Sequence, residues 1–223
     1  MVIDVLINSC ARPDSMDICF KSFLKHIKTN KHEFRFVFVE DKVDNEERQA
    51  LGKEWVEQNK HYFDEIVFLE KKAGFGYHFQ EVIKLGKSPY FFRLEDDQEF
   101  IQDIKIDPLI DILINNPGVC QILFRRDNHK VPKIKNITID NVNLVESSFY
   151  SDSIGIHNLE LTKKIIDECG WENQLHEASI LTPASNKLGI KKYVLGFKKR
   201  FWHKSPLHYI HVGKNYRKGS WKI

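Results

Sequence analysis

Three consecutive carboxylates follow directly on a short apolar run, and this junction restricts the possible folds more than any other stretch of the chain. The run covers residues 90–94, and the acids are Glu95, Asp96 and Asp97. Such a run predicts a buried strand, and burying unpaired, mutually repelling carboxylates is costly. A positive partner is therefore expected at the strand end, and at a cleft the usual candidate is a divalent cation with a phosphate ligand. The simpler alternative is a strand that leaves the core into a solvated acidic turn.

The preceding residues repeat the order of apolar run, polar cluster and helical segment. Apolar runs at residues 2–8, 34–39 and 65–69 predict three more strands. Between them apolar residues recur at helical spacing, with Asp14 or Ser15 as the N-cap of the first helix. This alternation predicts an α/β fold with a Rossmann-like, mostly parallel sheet and helices on both faces. Ligands gather beyond the carboxyl ends of such strands, so the polar clusters are expected to converge on one cleft.

The second half of the chain has a different pattern. Residues 131–150 are rich in Ile, Val, Thr and Asn without helical period, and strand-like pieces recur after residue 187. We therefore expect a small antiparallel region towards the C-terminus. The sequence contains no repeat or flexible linker, and its 223 residues are predicted to form a single domain.

The cysteines and the hydropathy indicate a cellular compartment. The four cysteines have no C-x-x-C spacing and no histidine at zinc spacing, so free thiols are expected rather than disulfides or a zinc site. No apolar stretch approaches the roughly 20 residues of a transmembrane span, and residues 1–9 do not resemble a signal peptide. We expect a cytoplasmic protein without a transmembrane segment.

Basic and acidic residues are unevenly distributed along the chain. Residues 1–177 contain 23 Lys and Arg against 31 Asp and Glu, whereas residues 178–223 contain 11 basic residues and no acidic one. A basic C-terminal tail of this kind is expected to meet an anion, which could be a diphosphate, a nucleic acid or an anionic surface. A merely solvated basic face is the alternative.

Taken together, these motifs resemble those of the GT-A glycosyltransferases, and most closely the broad inverting family that includes short bacterial and viral enzymes. The resemblance covers residues 2–100 and is weaker beyond about residue 145. The matching positions are an N-x-x-R-P-like loop with Asn8 and Arg12, an acidic pair Glu40 and Asp41, a glycine-containing segment with Gly74 and Gly76, and a D-x-D-like element Glu95, Asp96 and Asp97. Glu95 stands where the family has the first aspartate.

The resemblance implies a nucleotide-diphosphate sugar as donor and Mn²⁺ or Mg²⁺ as cofactor. Residues 1–100 would form the donor-binding half and residues 101–223 the acceptor-binding half. Hard carboxylate oxygens suit these cations, which stabilise negative charge on a leaving diphosphate. Asp97 is the expected metal ligand, with His211 as a second ligand and His203 as its competitor. The expected contacts to the nucleotide sugar are Asn8, Arg12, Glu40, Asp41, Gly74, Gly76, Glu95, Asp96 and Lys214.

Inversion needs a base that takes the proton of the acceptor hydroxyl. In the family the base lies in an x-E-D element near the start of a late helix, and residues 176–178 occupy a similar place with Ala178 instead of the aspartate. The resemblance therefore implies Glu177 as the base, since a carboxylate in a cleft can have a raised pKa. Glu172 and Asp152 are the other candidates.

The acceptor is left open by the sequence. A basic, aromatic tail is compatible with a hydroxymethylated DNA base that is flipped out of the duplex, and equally with a glycan or a lipid-linked precursor. Two other functions compete with glycosyl transfer. One is nucleic-acid binding through the aromatic residues of the tail, and the other is nucleotidyl transfer, although residues 8–14 contain no glycine of the usual loop.

Overall fold

The computed structural model describes residues 1–72, 74–124, 133–151, 153–169, 177–195 and 208–212. Within these ranges the helices are α1 (Pro13–His26), α2 (Glu46–Asn59), α3 (Gly74–Lys84), α4 (Asp107–Asn115), α5 (Leu159–Cys169) and α6 (Glu177–Lys187). The strands are β1 (Val2–Ser9), β2 (Ile27–Lys28), β3 (Glu33–Glu40), β4 (Glu65–Phe68), β5 (Tyr90–Glu95), β6 (Gln98–Phe100), β7 (Ile104–Lys105), β8 (Val119–Leu123), β9 (Lys133–Ile139), β10 (Val142–Ser147), β11 (Gly155–Asn158), β12 (Lys191–Leu195) and β13 (Tyr209–His211).

One nine-stranded sheet runs through both halves of the chain in the order β4-β3-β1-β5-β11-β8-β12-β10-β9. The strands β4, β3, β1 and β5 are mutually parallel. The strand β11 is antiparallel to both of its neighbours, whereas β12 is parallel to β8, and β10 and β9 complete an antiparallel edge. The predicted α/β fold is therefore confirmed, with a parallel half formed by β4, β3, β1 and β5 and a second half that contains the antiparallel region.

Helices cover both faces of the sheet because its central strands are apolar on both sides. In β1, Ile3, Val5 and Ile7 belong to one core and Leu6 belongs to the other. The first core also contains residues of α1, α2 and α4, namely Phe20, Trp55 and Leu109. The second contains residues of α3, α5 and α6, namely Phe79, Ile165 and Leu181.

The loop after β1 has an unusual conformation. Ala11 is fully buried with φ at 52°, in the left-handed region that a non-glycine residue rarely adopts. The helix α1 then begins at Pro13 with Arg12 at the N-cap position and no capping side chain. The predicted N-cap at Asp14 or Ser15 is wrong, because Pro13 is suited to the first helical position and moves the helix start upstream.

The helix α2 holds this loop in place. The Nε of Arg48 donates to the carbonyl oxygen of Ala11 at 2.8 Å, and its guanidinium also donates to the carbonyl oxygen of Cys10. A Cβ atom at Gly52 would lie 2.5 Å from Oε1 of Glu40 and 3.2 Å from Cα of Ala11. Only glycine therefore allows α2 to approach the loop this closely.

None of the described helices combines the length and the apolar character that crossing a membrane requires.

Candidate active site

The polar strand ends meet where the order of the sheet reverses. The chain passes from β1 outward to β3 and β4, and then returns to place β5 on the other side of β1. Such a switch point leaves a crevice beyond the carboxyl ends of the two diverging strands. In this protein Ser9, Glu40 and Glu95 are the last residues of β1, β3 and β5, and Cys10, Asp41 and Asp96 follow them directly.

Arg12 is the positive partner that the acidic triplet requires. Its Nε donates to Oδ2 of Asp96 at 3.1 Å, its Nη2 donates to Oδ1 of the same carboxylate, and its Nη1 donates to Oδ2 of Asp97 at 3.0 Å. The backbone N–H of Cys10 donates to Asp96 at 2.7 Å. Burial raises the pKa of Asp96 while Arg12 opposes the rise. Although burial lowers the pKa of Arg12, the two carboxylates raise it above its ordinary value.

Glu40 is a second buried carboxyl in the same crevice. Its Oε2 accepts from Oγ of Ser9 at 3.1 Å, and its Oε1 accepts from Nε2 of Gln49 at 3.0 Å. The same Ser9 hydroxyl lies 3.3 Å from Oδ2 of Asp96, so one hydroxyl bridges two carboxyl groups. Burial raises the pKa of Glu40 to about 7, and the nearby charge of Asp96 adds to the rise.

The remaining two acids of the triplet, Glu95 and Asp97, are the candidates for ligand contact. Glu95 pairs with Nη2 of Arg93 at 3.2 Å and accepts from Gln98 at 2.9 Å, and its side chain is 21% exposed. Arg93 is fully buried and stacks on Phe79, which gives Glu95 a rigid support. Asp97 carries a hard carboxylate, so the donor chemistry of Glu95 and Asp97 fits Mg²⁺ or Mn²⁺.

A C-terminal strand lies beside these acids. The strand β13 pairs with β6 so that His211 lies opposite Gln98, and the N–H of Val212 donates to the carbonyl oxygen of Asp97 at 2.8 Å. The backbone of His211 is thus next to the predicted metal ligand, although the two are more than a hundred positions apart in the sequence. The side chain of His211 lies outside the described part.

Asp41 lies next to Cys10 and His78. The carboxylate, the thiol and the imidazole of these residues have ligand atoms that all lie within 4.8 Å of one another. Burial lowers the pKa of His78 to about 4, so that its ring is neutral at physiological pH. Asn8 is buried nearby, and its Oδ1 accepts from Nε of Arg93 at 3.4 Å.

Several predicted site residues are placed only in part. Gly74 and Gly76 lie in the first turn of α3, and Gly74 has φ at 68°. Glu177 is the first residue of α6, but its side chain lies outside the described part. Asp152, Glu172, His203 and Lys214 lie outside the described residues altogether. Their roles stay predictions.

The structure adds four residues to the predicted site, namely Ser9, Cys10, Arg48 and His78. Ser9 and Cys10 lie within the N-x-x-R-P-like loop, and this motif is the sequence feature that could have indicated them. His78 and Arg48 are helix residues without a motif, and only their proximity to Asp41 and to the loop reveals them.

No protein-family model matches this chain, and no curated protein matches it in sequence. Solved structures do resemble it. S. aureus TarS 1–349 superposes with a TM-score of 0.62 at 16% identity over 96% of this chain and 61% of TarS 1–349. The same protein in complex with UDP-GlcNAc gives 0.60 at 17% identity over 94% of this chain and 58% of the other. GalNAc-T7 with UDP, GalNAc and Mn²⁺ gives 0.62 at 9% identity over 86% and 42%.

These likenesses define the class of fold. TarS and GalNAc-T7 are glycosyltransferases of the GT-A fold, and the present chain has the GT-A fold, as its motifs predict. It spans about three fifths of the length of TarS 1–349.

Proposed function

We propose that this protein is a metal-dependent glycosyltransferase that moves a sugar from a nucleotide-diphosphate sugar to an acceptor hydroxyl with inversion. One observation carries the proposal. The carboxylates of Asp41, Glu95 and Asp97 stand at the carboxyl ends of β3 and β5, on both sides of the switch point of a GT-A sheet. Ligands of open α/β sheets bind in this crevice.

The residues around the crevice divide into four groups by role. Asp97 would hold Mn²⁺ or Mg²⁺, and His211 would be the second ligand of the cation, because β13 brings the His211 backbone beside the acidic strand end. Asp41 accepts from the nucleobase, and Glu95 binds the ribose. Arg12 and Lys214 are the residues proposed to contact the diphosphate. Asn8, Glu40, Asp96, Gly74 and Gly76 shape the donor pocket around them.

The chemistry follows from this arrangement. When bound, the metal supplies Lewis-acid stabilisation of the charge that develops on the leaving diphosphate. Arg12 adds positive charge at the same place, since Asp96 and Cys10 fix its loop. Glu177, or Asp152 in its stead, takes the proton of the acceptor hydroxyl as that oxygen attacks the anomeric carbon.

The donor nucleotide is proposed to be UDP. TarS was solved in complex with UDP-GlcNAc, and GalNAc-T7 with UDP and Mn²⁺. These ligands belong to proteins at most 17% identical to this chain, so the choice of base is a matter for experiment.

The test is calorimetric titration of UDP, GDP, CDP and ADP with and without Mn²⁺. We expect one nucleotide to bind tightly, only with the cation present, and Asp97→Asn to abolish the cation-dependent part. Asp44→Asn is the matched control, because Asp44 is an exposed carboxylate paired with Lys72. Absence of binding for all four nucleotides would sink the proposal. Once the donor is known, the anomeric configuration of the product decides between inversion and retention.

The acceptor is tested separately. If it is a DNA base, the protein should bind duplex DNA at low salt and lose affinity steeply as salt increases. A glycan acceptor predicts no such binding, and transfer would then be assayed on oligosaccharides.

A further inference from the structure

Cys10, Asp41 and His78 bring three chemically different metal-binding groups to one point. They come from the loop after β1, the end of β3 and the second turn of α3, and their ligand atoms lie within 4.8 Å of one another. Asp41 is 7% and His78 is 3% exposed, whereas Cys10 is partly exposed. In a tetrahedral zinc site, bonds of about 2.0–2.3 Å place the ligand atoms about 3.5 Å apart, so small side-chain rotations suffice.

The surroundings of His78 suit a metal ligand. Its Nε2 lies 3.1 Å from the carbonyl oxygen of Val39, which can only accept a hydrogen bond. Nε2 is therefore the protonated nitrogen of the neutral ring, and Nδ1 keeps its lone pair. Ligating histidines usually donate their second ring nitrogen to a carbonyl or a carboxylate in this way, which fixes the tautomer.

The charges around Cys10 are balanced before any cation binds. The thiol is close to the carboxylates of Asp96 and Asp41 and to the guanidinium groups of Arg12 and Arg48. Asp96 is already paired with Arg12, and Arg48 is bonded to backbone carbonyl oxygens. The two carboxylates near the thiol equal the two guanidinium groups in number, so a divalent cation bound to the thiolate and to Asp41 would meet no net positive charge from these four side chains.

We propose that Cys10, Asp41 and His78 form a second cation site, selective for zinc-class divalent metals and distinct from the site at Asp97. Sulfur, imidazole and carboxylate ligands are the set that Zn²⁺ takes, whereas the harder cations Mg²⁺ and Mn²⁺ do not favour a thiolate ligand. On binding, the Cys10 thiol releases its proton to solvent and forms a sulfur–metal bond. Three protein ligands leave the fourth position to water.

A cation at this site competes with the donor. Asp41 is the residue proposed to accept from the nucleobase, so a carboxylate engaged by zinc is withdrawn from the nucleotide. This consequence rests on the proposed function, whereas the site itself does not. Zinc would thus inhibit a reaction that Mn²⁺ or Mg²⁺ supports.

Titration with Co²⁺, a coloured substitute for zinc, tests the site. The wild type should show a thiolate-to-cobalt charge-transfer band and visible bands of tetrahedral intensity, saturating at one equivalent. Cys10→Ser should abolish the charge-transfer band. His78→Gln should weaken Co²⁺ binding by more than about 100-fold. Loss of a residue that only supports a ligand costs at most about 100-fold in metal affinity, so a larger effect indicates a direct ligand.

Two matched variants locate the cation. Cys169→Ser changes a partly exposed cysteine on α5, and Asp97→Asn changes the other proposed cation site; both should retain the band. A wild type without a thiolate band overturns the proposal, and so does a band that disappears in Cys169→Ser or Asp97→Asn.

UDP titration in Mn²⁺, with and without Zn²⁺, tests competition between zinc and the donor. We expect Zn²⁺ to lower the affinity for UDP at least tenfold. If UDP fails to bind even without Zn²⁺, the proposed UDP donor is wrong, while the cobalt band still decides the site.

Discussion

The guanidinium of Arg12 binds both carboxylate oxygens of Asp96, across 84 positions of sequence. This pair ties the loop after β1 to the end of β5 and neutralises a side chain that is only 1% exposed. Arg12 also reaches Asp97, the proposed metal ligand. One arginine therefore determines both the shape of the crevice and the charge that a cation meets there.

Arg12→Gln should destabilise the protein by about 3–5 kcal/mol, because it leaves Asp96 buried without its charge partner. The free energy of unfolding in urea measures this loss. Adding Asp96→Asn should recover part of it, so the double-mutant cycle should show a clear coupling energy. Lys21→Gln breaks an exposed pair with Asp17 and should cost at most about 0.5 kcal/mol. If Arg12→Gln and Lys21→Gln lower the free energy of unfolding by the same amount, Arg12 is not the charge partner that buried Asp96 requires.

Glu40 should make the protein less stable as the pH rises from about 4.5 to about 7. Its pKa is about 7 in the folded protein against an ordinary value of 4.5, so the folded state binds the extra proton in this window. The protonated Glu40 carboxyl stabilises the folded state by about 3 kcal/mol below pH 4.5. This stabilisation is lost as the pH rises through about 7.

The measurement is the free energy of unfolding of the wild type minus that of Glu40→Gln, determined as a function of pH. His78 and His157 have pKa values lowered by burial to about 4 and about 3, which act in the opposite direction but cancel in this difference. Glu54→Gln, at an exposed position of α2, should leave the profile unchanged. A difference profile that is flat between pH 4.5 and 7 would show that Glu40 stays ionised.

Gly52→Ala should cost about 1–3 kcal/mol through overpacking. The added methyl would meet Glu40 at 2.5 Å and Ala11 at 3.2 Å, in a region where both neighbours are buried. Gly118→Ala is the control, because a Cβ there has no atom within 4 Å. Thermal unfolding of the two variants should differ clearly, and similar midpoints would mean that α2 moves away from the loop without cost.

Val212→Pro should weaken Mn²⁺-dependent nucleotide binding by about tenfold or more, equivalent to 1.4 kcal/mol. The change removes the N–H that donates to the carbonyl oxygen of Asp97 and so detaches β13 from the acidic strand end. Stability should fall by only about 1 kcal/mol, the usual contribution of one hydrogen bond. Val212→Ala retains the N–H and should bind like the wild type; a parallel loss in both variants would assign the effect to the side chain.

The parallel half of the fold was predictable from the sequence because its signals are local. The four strands predicted at residues 2–8, 34–39, 65–69 and 90–94 match β1, β3, β4 and β5 to within one residue at each end. Apolar runs mark strands that are buried on both faces, and helical spacing marks the segments between them. The N-cap of α1 was missed, since Pro13 and the left-handed Ala11 decide it together.

The sequence by itself determined the class of fold and the set of acidic strand ends, because strand and helix periodicity are properties of neighbouring residues. Only the tertiary structure decided how these acids are used. Asp96 is paired with Arg12, whereas Glu95 rests on Arg93 and Asp97 lies against β13. It also placed His78 beside Cys10 and Asp41, a proximity that no spacing encodes. Such contacts depend on which strands become neighbours and on how closely the helices pack against them.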